Sequence, residues 1–132
     1  MSDLTLIIPA KNEKESLPKV LDELNEFNFK KNVILEASDK LTIEAVKTYD
    51  CKIIYQDSNG YGDALKKGIE TIETEFFCIF NADGSFNPKE LDQMIKKLKD
   101  DKFREVVYDI MDEVIIHRFD QTATEIDLGE EE

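Results

Sequence analysis

The chain has 132 residues, enough for one domain and too few for a second core of ordinary size. Hydrophobic residues make up 41% and charged residues 36%, so a packed core is available and wholesale disorder is excluded. With 17 basic against 30 acidic side chains the net charge is -13, which argues against a nucleic-acid surface, because neutralising phosphates takes clustered Lys and Arg. No apolar run approaches the roughly 18–20 residues that span a bilayer. The start, MSDLTLIIPAKNE, has no basic region ahead of its short apolar run, unlike a secretory leader. Cys51 and Cys78 each lie in an apolar, strand-like stretch and read as reduced, buried thiols of a cytoplasmic protein. His117 is the single histidine, which leaves little from which to build a zinc site or a Ser-His-Asp triad.

In chain order, Leu4–Pro9 is a short apolar run suited to a strand buried on both faces. Asn12–Phe27 reads as a helix with Leu17, Val20, Leu21 and Leu24 on one stripe, and Pro18 is tolerable there in the first turn. Val33–Leu35 is a second strand, Leu41–Tyr49 a second helix and Lys52–Gln56 a third strand. Gly62–Ile72 is a third helix and Phe76–Phe80 a fourth strand. Pro88–Leu98 is a fourth helix, with proline at its start and Leu91, Met94, Ile95 and Leu98 on its apolar face. Four βα units in succession predict an α/β fold, an open and mostly parallel sheet with helices on both faces. Residues 1–103 would form this half-domain. Residues 104–124 are rich in β-branched residues and read equally as one helix or as a hairpin around Met111–Asp112. Residues 125–132 form an acidic tail expected to be disordered. The charge shifts with this boundary: residues 1–103 hold 15 basic and 20 acidic side chains, residues 104–132 only 2 and 10.

Ligands of such sheets bind beyond the carboxyl ends of the strands, which directs attention to the loops there. The first loop is Pro9-Ala10-Lys11-Asn12-Glu13, read either as the wall of a nucleotide site or as a helix start with Asn12 as N-cap and Glu15 closing a capping box. The loop after the third strand contains Gly60-Tyr61-Gly62, where two glycines let backbone approach a ligand and a helix N-terminus favours an anion. After the fourth strand comes Asn81-Ala82-Asp83-Gly84-Ser85, in which Asp83 is a hard oxygen ligand of the kind Mg²⁺ or Mn²⁺ takes. Each loop alone also reads as plain turn chemistry.

Taken together and in this order, these segments resemble the N-terminal half of the family 2 inverting glycosyltransferases of GT-A fold, most closely the polyprenyl-phosphate sugar transferases of the dolichol-phosphate mannosyltransferase type. The resemblance covers about residues 3–100. It implies a nucleotide-diphosphate-sugar site. In it Pro9, Ala10, Asn12 and Glu13 match the first nucleotide loop and Gly60 and Gly62 the loop beside base and ribose. Asn81 and Asp83 fall on the Asp-x-Asp motif, with Asp83 as metal ligand for Mg²⁺ or Mn²⁺. Glu36 is the nearest match to the base-contacting acid after the second strand. The sequence departs from the family where Asn81 replaces the first Asp, and where Glu36 lacks the glycine that usually accompanies the acid.

The expected activity is transfer of a sugar from a nucleotide-diphosphate donor to a lipid phosphate or a growing glycan. An inverting transfer also needs a general base at the acceptor hydroxyl. Glu105, Asp109, Asp112 and Glu113 qualify only by chemistry, and no catalytic residue is assigned. The alternative expectation is a truncated or degenerate, non-catalytic scaffold that keeps nucleotide binding and self-associates as a homo-oligomer, with residues 104–119 as its interface. A nucleotidyltransferase is disfavoured because the first loop, PAKNE, has no glycine to cradle phosphates.

Overall fold

The computed structural model describes residues 4–80, 89–101, 105–109 and 114–118. The elements run β1 (Leu4–Pro9), α1 (Ser16–Leu24), β2 (Lys30–Leu35), α2 (Lys40–Val46), β3 (Lys52–Tyr55), α3 (Tyr61–Ile69), β4 (Phe76–Ile79), α4 (Lys89–Asp101), β5 (Glu105–Asp109) and β6 (Val114–Arg118). They build one six-stranded sheet in the order β3-β2-β1-β4-β6-β5. β1 to β4 are mutually parallel, and β6 runs antiparallel to both β4 and β5. The α/β fold of alternating strands and helices is therefore as the apolar runs indicate.

β1, β2 and β4 are buried from both sides, while β3 at the sheet edge stays partly exposed, and side chains alternate between two cores. Leu4, Leu6 and Ile8 of β1, Val33 and Leu35 of β2, and Phe76 and Cys78 of β4 meet α1, α2 and α4. Ile7, Ile34 and Phe77, on the other face, meet Ala64 and Ile69 of α3, with Ile72 just beyond that helix. The second contact is close: a Cβ built on Gly68 would lie 2.5 Å from Ile7 Cγ2, so only glycine lets α3 approach β1 this far.

Several elements are shorter or longer than the sequence suggests. The first helix begins at Ser16, not Asn12, because Asn12 adopts a left-handed backbone (φ 57°) that a helix cannot contain. Neither half of the expected capping box forms: Glu15 is the N-cap residue and makes no side-chain cap. The amide of Leu17 instead donates to Glu13 O at 3.0 Å, and the Ser16 hydroxyl donates to the Glu13 carboxylate. β2 starts three residues early, at Lys30, because pairing with β1 (Thr5 opposite Lys30, Leu6 opposite Lys31) overrides the polar character of Lys30, Lys31 and Asn32.

In the segment left open between helix and hairpin, the chain forms β5 and β6. These two strands pair in this chain's own sheet, with Phe77 opposite His117 and Cys78 opposite Ile116. Pro88, expected to open the fourth helix, lies outside the described residues, as do Met111–Asp112 and the acidic tail. Both cysteines are free, but Cys51 is only half-buried, contrary to the expectation for both. Among the described residues no helix is long and apolar enough to cross a membrane.

Candidate active site

The parallel strands end together at one edge of the sheet, and backbone bonds carry the ladder past them. Ala10 N donates to Ile34 O at 3.1 Å, Gln56 N to Leu35 O at 2.9 Å and Phe80 N to Ile7 O at 2.8 Å. These bonds draw the loops after β1, β2 and β3 around a cleft of about 230 Å³. Its lining joins Pro9, Ala10, Glu13, Glu36 and Gly60 with Lys11, Gln56, Tyr61 and Ala64. Five of the nine residues singled out in the sequence thus share one space, although they come from three separate loops.

Glu36 directly follows β2, and its side chain is only 15% exposed. Lys11 Nζ stands 3.8 Å from its Oε2, too far for a hydrogen bond, and the lysine side chain is 68% exposed. A mostly buried carboxylate facing a mobile-length ammonium on the rim is an acceptor that a ligand's hydroxyl or N–H can engage. Pro9 and Ala10 supply an apolar wall, and Tyr61, 58% exposed, presents an aromatic ring at the same cleft.

The loop from Gln56 to α3 is built by its own side chains. Gln56 Nε2 donates to Ser58 O and Gly60 O, both at 3.0 Å. Asp63, in the first turn of α3, accepts from Ser58 N at 3.2 Å. That backbone bond is the main cause holding the Asp63 carboxyl below its ordinary range. Gly60 has φ 107°, a conformation that side-chain-bearing residues rarely adopt, and the space where a Cβ would sit is open. At the rear of α3, Lys67 holds Asp57 at 2.7 Å, and this bond raises the lysine pKa.

Asn12 and Gly62 do not line the cleft. Asn12 is exposed and its amide donates to Asp39 Oδ2 at 2.8 Å, while Glu13 N donates to Thr42 Oγ1 at 3.1 Å. These two bonds pin the first loop to α2, so Asn12 acts on the loop's shape. Gly62 is exposed in the first turn of α3, with open space around it. Asn81 and Asp83 lie outside the described residues. Among the described residues no group of three or more His, Cys, Asp or Glu side chains is gathered as metal ligands. Sequence reasoning missed Gln56 and Tyr61, and both carried a signal. Gln56 heads the polar run Gln-Asp-Ser-Asn that leads from the third strand to Gly60, and Tyr61 is an aromatic ring between two glycines, in a loop with little apolar company.

A mostly parallel α/β sheet with a cleft at its carboxyl edge, walled by loops from three strands, is the class of domain whose ligands bind beyond the strand ends. The glycosyl transferase family 2 pattern matches residues 5–125, and the chain belongs to that family. It is 27% identical over 95 residues to uncharacterised glycosyltransferases of Mycobacterium bovis and Mycobacterium tuberculosis. That match covers 72% of this chain and 43% of those proteins, so the chain spans less than half of their length. The same fold occurs in TarS of S. aureus (residues 1–349; TM-score 0.68, 19% identity, 80% of this chain and 34% of that one). It also occurs in glucosyl-3-phosphoglycerate synthase of M. tuberculosis, solved with Mn²⁺, UDP and glucosyl-3-phosphoglycerate (TM-score 0.64, 14% identity, 74% of this chain and 39% of that one).

Proposed function

We propose that this chain is the donor-binding part of a sugar transferase, and that the cleft between Pro9, Glu36 and Gly60 holds a nucleoside-diphosphate sugar. The observation that carries this reading is the cleft itself, an open apolar-walled space with one mostly buried carboxylate, at the strand ends where such sheets bind ligands. The nucleoside lies between the Pro9–Ala10 wall and the ring of Tyr61. Glu36 accepts hydrogen bonds from ribose hydroxyls or a base N–H, and the buried setting makes those bonds count for more than they would in water. Lys11 leaves Glu36 for the diphosphate, a short swing for an exposed side chain. Gly60 keeps its side of the cleft free of any Cβ.

In this reading a divalent ion would be held by Asp83, a hard oxygen ligand, with Asn81 two positions earlier in the sequence as a neutral oxygen donor. Glu13 and Glu36, the carboxylates of the described cleft, already face Ser16 and Lys11. A bound Mg²⁺ or Mn²⁺ would offset charge on the departing nucleoside diphosphate. Support for a metal and for UDP comes from the solved relatives: the M. tuberculosis synthase was crystallised with Mn²⁺, UDP-glucose and phosphoglyceric acid, and TarS with UDP-GlcNAc. The sequence resemblance to polyprenyl-phosphate transferases makes a lipid phosphate the first acceptor to try, with a phosphorylated small acid second. We place the reaction in the cytoplasm, where free thiols such as Cys51 stay reduced.

Calorimetric titration with UDP and GDP, with and without Mn²⁺, tests the reading. Binding of at least one nucleotide is expected, stronger with Mn²⁺. Glu36→Ala should weaken it roughly tenfold or more, the scale of a lost hydrogen bond to a charged group, and Asp83→Ala should remove the metal dependence. A folded protein that binds neither nucleotide would sink the proposal.

A further inference from the structure

A second cleft, of about 430 Å³, lies at the opposite edge of the sheet, where β2 and β3 begin. Lys30, Lys31 and Lys52 line it together with Asp50 and Glu73. Three ammonium groups against two carboxylates leave it locally positive on a chain whose net charge is -13.

Lys31 is the informative residue. Its side chain is only 5% exposed, yet its ion-pair partner among the described residues is Asp50 Oδ2 at 3.7 Å, beyond hydrogen-bond reach. Asp50 is itself 89% exposed, so its carboxylate stays in water. A buried ammonium has given up hydration and needs close oxygen acceptors in return, and at this distance Asp50 does not supply one. Lys30, whose side chain is 53% exposed, stands 3.7 Å from a Glu73 that is 80% exposed, an equally loose pair in solvent. Lys52 is exposed and has no ion-pair partner among the described residues. Two neutral groups of the cleft are engaged: Asn32 Nδ2 donates to Thr71 Oγ1 at 3.0 Å, and the Thr71 hydroxyl donates to Gly68 O at 2.6 Å. They form a fixed floor, and the unmet donor is the buried ammonium of Lys31, with Lys30 and Lys52 adding positive charge at the rim.

We propose that this cleft binds a small phosphate-bearing molecule, whose oxygens replace Asp50 and Glu73 as the partners of Lys31 and Lys30, with Lys52 as a third contact. Both carboxylates are exposed enough to turn away without breaking a hydrogen bond. The strongly negative chain repels a long polyanion at low salt, and the concave site suits a compact ligand, so a nucleic acid or an anionic membrane is not the occupant. The site is separate from the donor cleft, being at the other end of β2, a strand roughly 20 Å long.

Inorganic phosphate is the probe, and the thiol of Cys51 is a built-in reporter. Cys51 lines the same cleft, whereas Cys78 is fully buried, so alkylation reads Cys51. Burial raises the Cys51 pKa and the nearby Lys31 charge pulls it back. A phosphate on Lys31 cancels that pull and slows alkylation by iodoacetamide. The expected result is a saturable slowing that potassium chloride at matched ionic strength does not give, with amide shifts in an NMR titration centred on residues 30–32 and 50–52. Lys52→Ser, at an exposed position that leaves folding intact, should raise the midpoint several-fold, and Lys31→Met should remove saturation. A phosphate effect no larger than that of chloride overturns the proposal. So does an unchanged midpoint in Lys52→Ser, or shifts confined to Lys11, Glu36 and Gly60, which would place the ion in the donor cleft.

Discussion

The face of the sheet that meets α1, α2 and α4 is filled by large apolar side chains from three strands, with Leu4, Leu6, Ile8 and Phe76 all fully buried. The face that meets α3 is smaller. It is closed by one helix, and Gly68 presses that helix against Ile7. The first face stores most of the apolar burial. The second carries the glycine loop of the candidate cleft, since Gly60, Tyr61 and Ala64 sit at the start of α3. Damage to the first should therefore cost stability in general, and damage to the second should reach the site through the position of one helix.

Phe76 and Phe77 make the sharpest test, because they are adjacent, identical and face opposite cores. Phe76→Ala should cost about 4–5 kcal/mol and Phe77→Ala about 3 kcal/mol in urea unfolding, since the smaller cluster can collapse further around the gap. Equal losses would erase the contrast. Gly68→Ala comes next. Its new methyl meets a Cγ2 that has no freedom to move aside, so overpacking should cost about 1–3 kcal/mol, and nucleotide binding should weaken by more than the stability loss explains. Binding that is untouched at full folding would show that α3 does not position the cleft.

The smallest effect is a pH dependence at Asp63. Its carboxyl is depressed below the ordinary 3.8 because the ionised form accepts the Ser58 amide. A depressed acid adds stability above its unfolded value and loses it as pH falls through the lower folded value. The melting temperature of the wild type should therefore exceed that of Asp63→Asn at neutral pH, and the gap should close in acid below that value. Asp63 is partly exposed, so solvent screens the bond and the gap is modest, and a gap that widens in acid would contradict the assignment.

Much of the framework was written in local pattern. Apolar runs such as LTLIIP and FFCIF named the buried strands, and the stripe of Leu17, Val20, Leu21 and Leu24 named the first helix, because burial on a fixed period needs only the sequence. The loops PAKNE and GYG were visible as strand-end punctuation for the same reason. Less legible were features set by distant partners. Asn12 looked like a cap but turns left-handed to bond Asp39, 27 residues away. Lys30–Asn32 looked like a loop but pair with β1. Gly68 looked like an ordinary helix residue until the sheet was beneath it.

The sequence by itself determined the alternation of strands and helices and their order, because these follow from short-range periodicity and residue type. Only the tertiary structure decided that β6 inserts antiparallel between β4 and β5, and that Glu36, Gly60 and Pro9 share one cleft. It alone also left Lys31 buried with no close acceptor among the described residues. Those outcomes depend on contacts between residues far apart in the chain, and such contacts leave no period in the sequence.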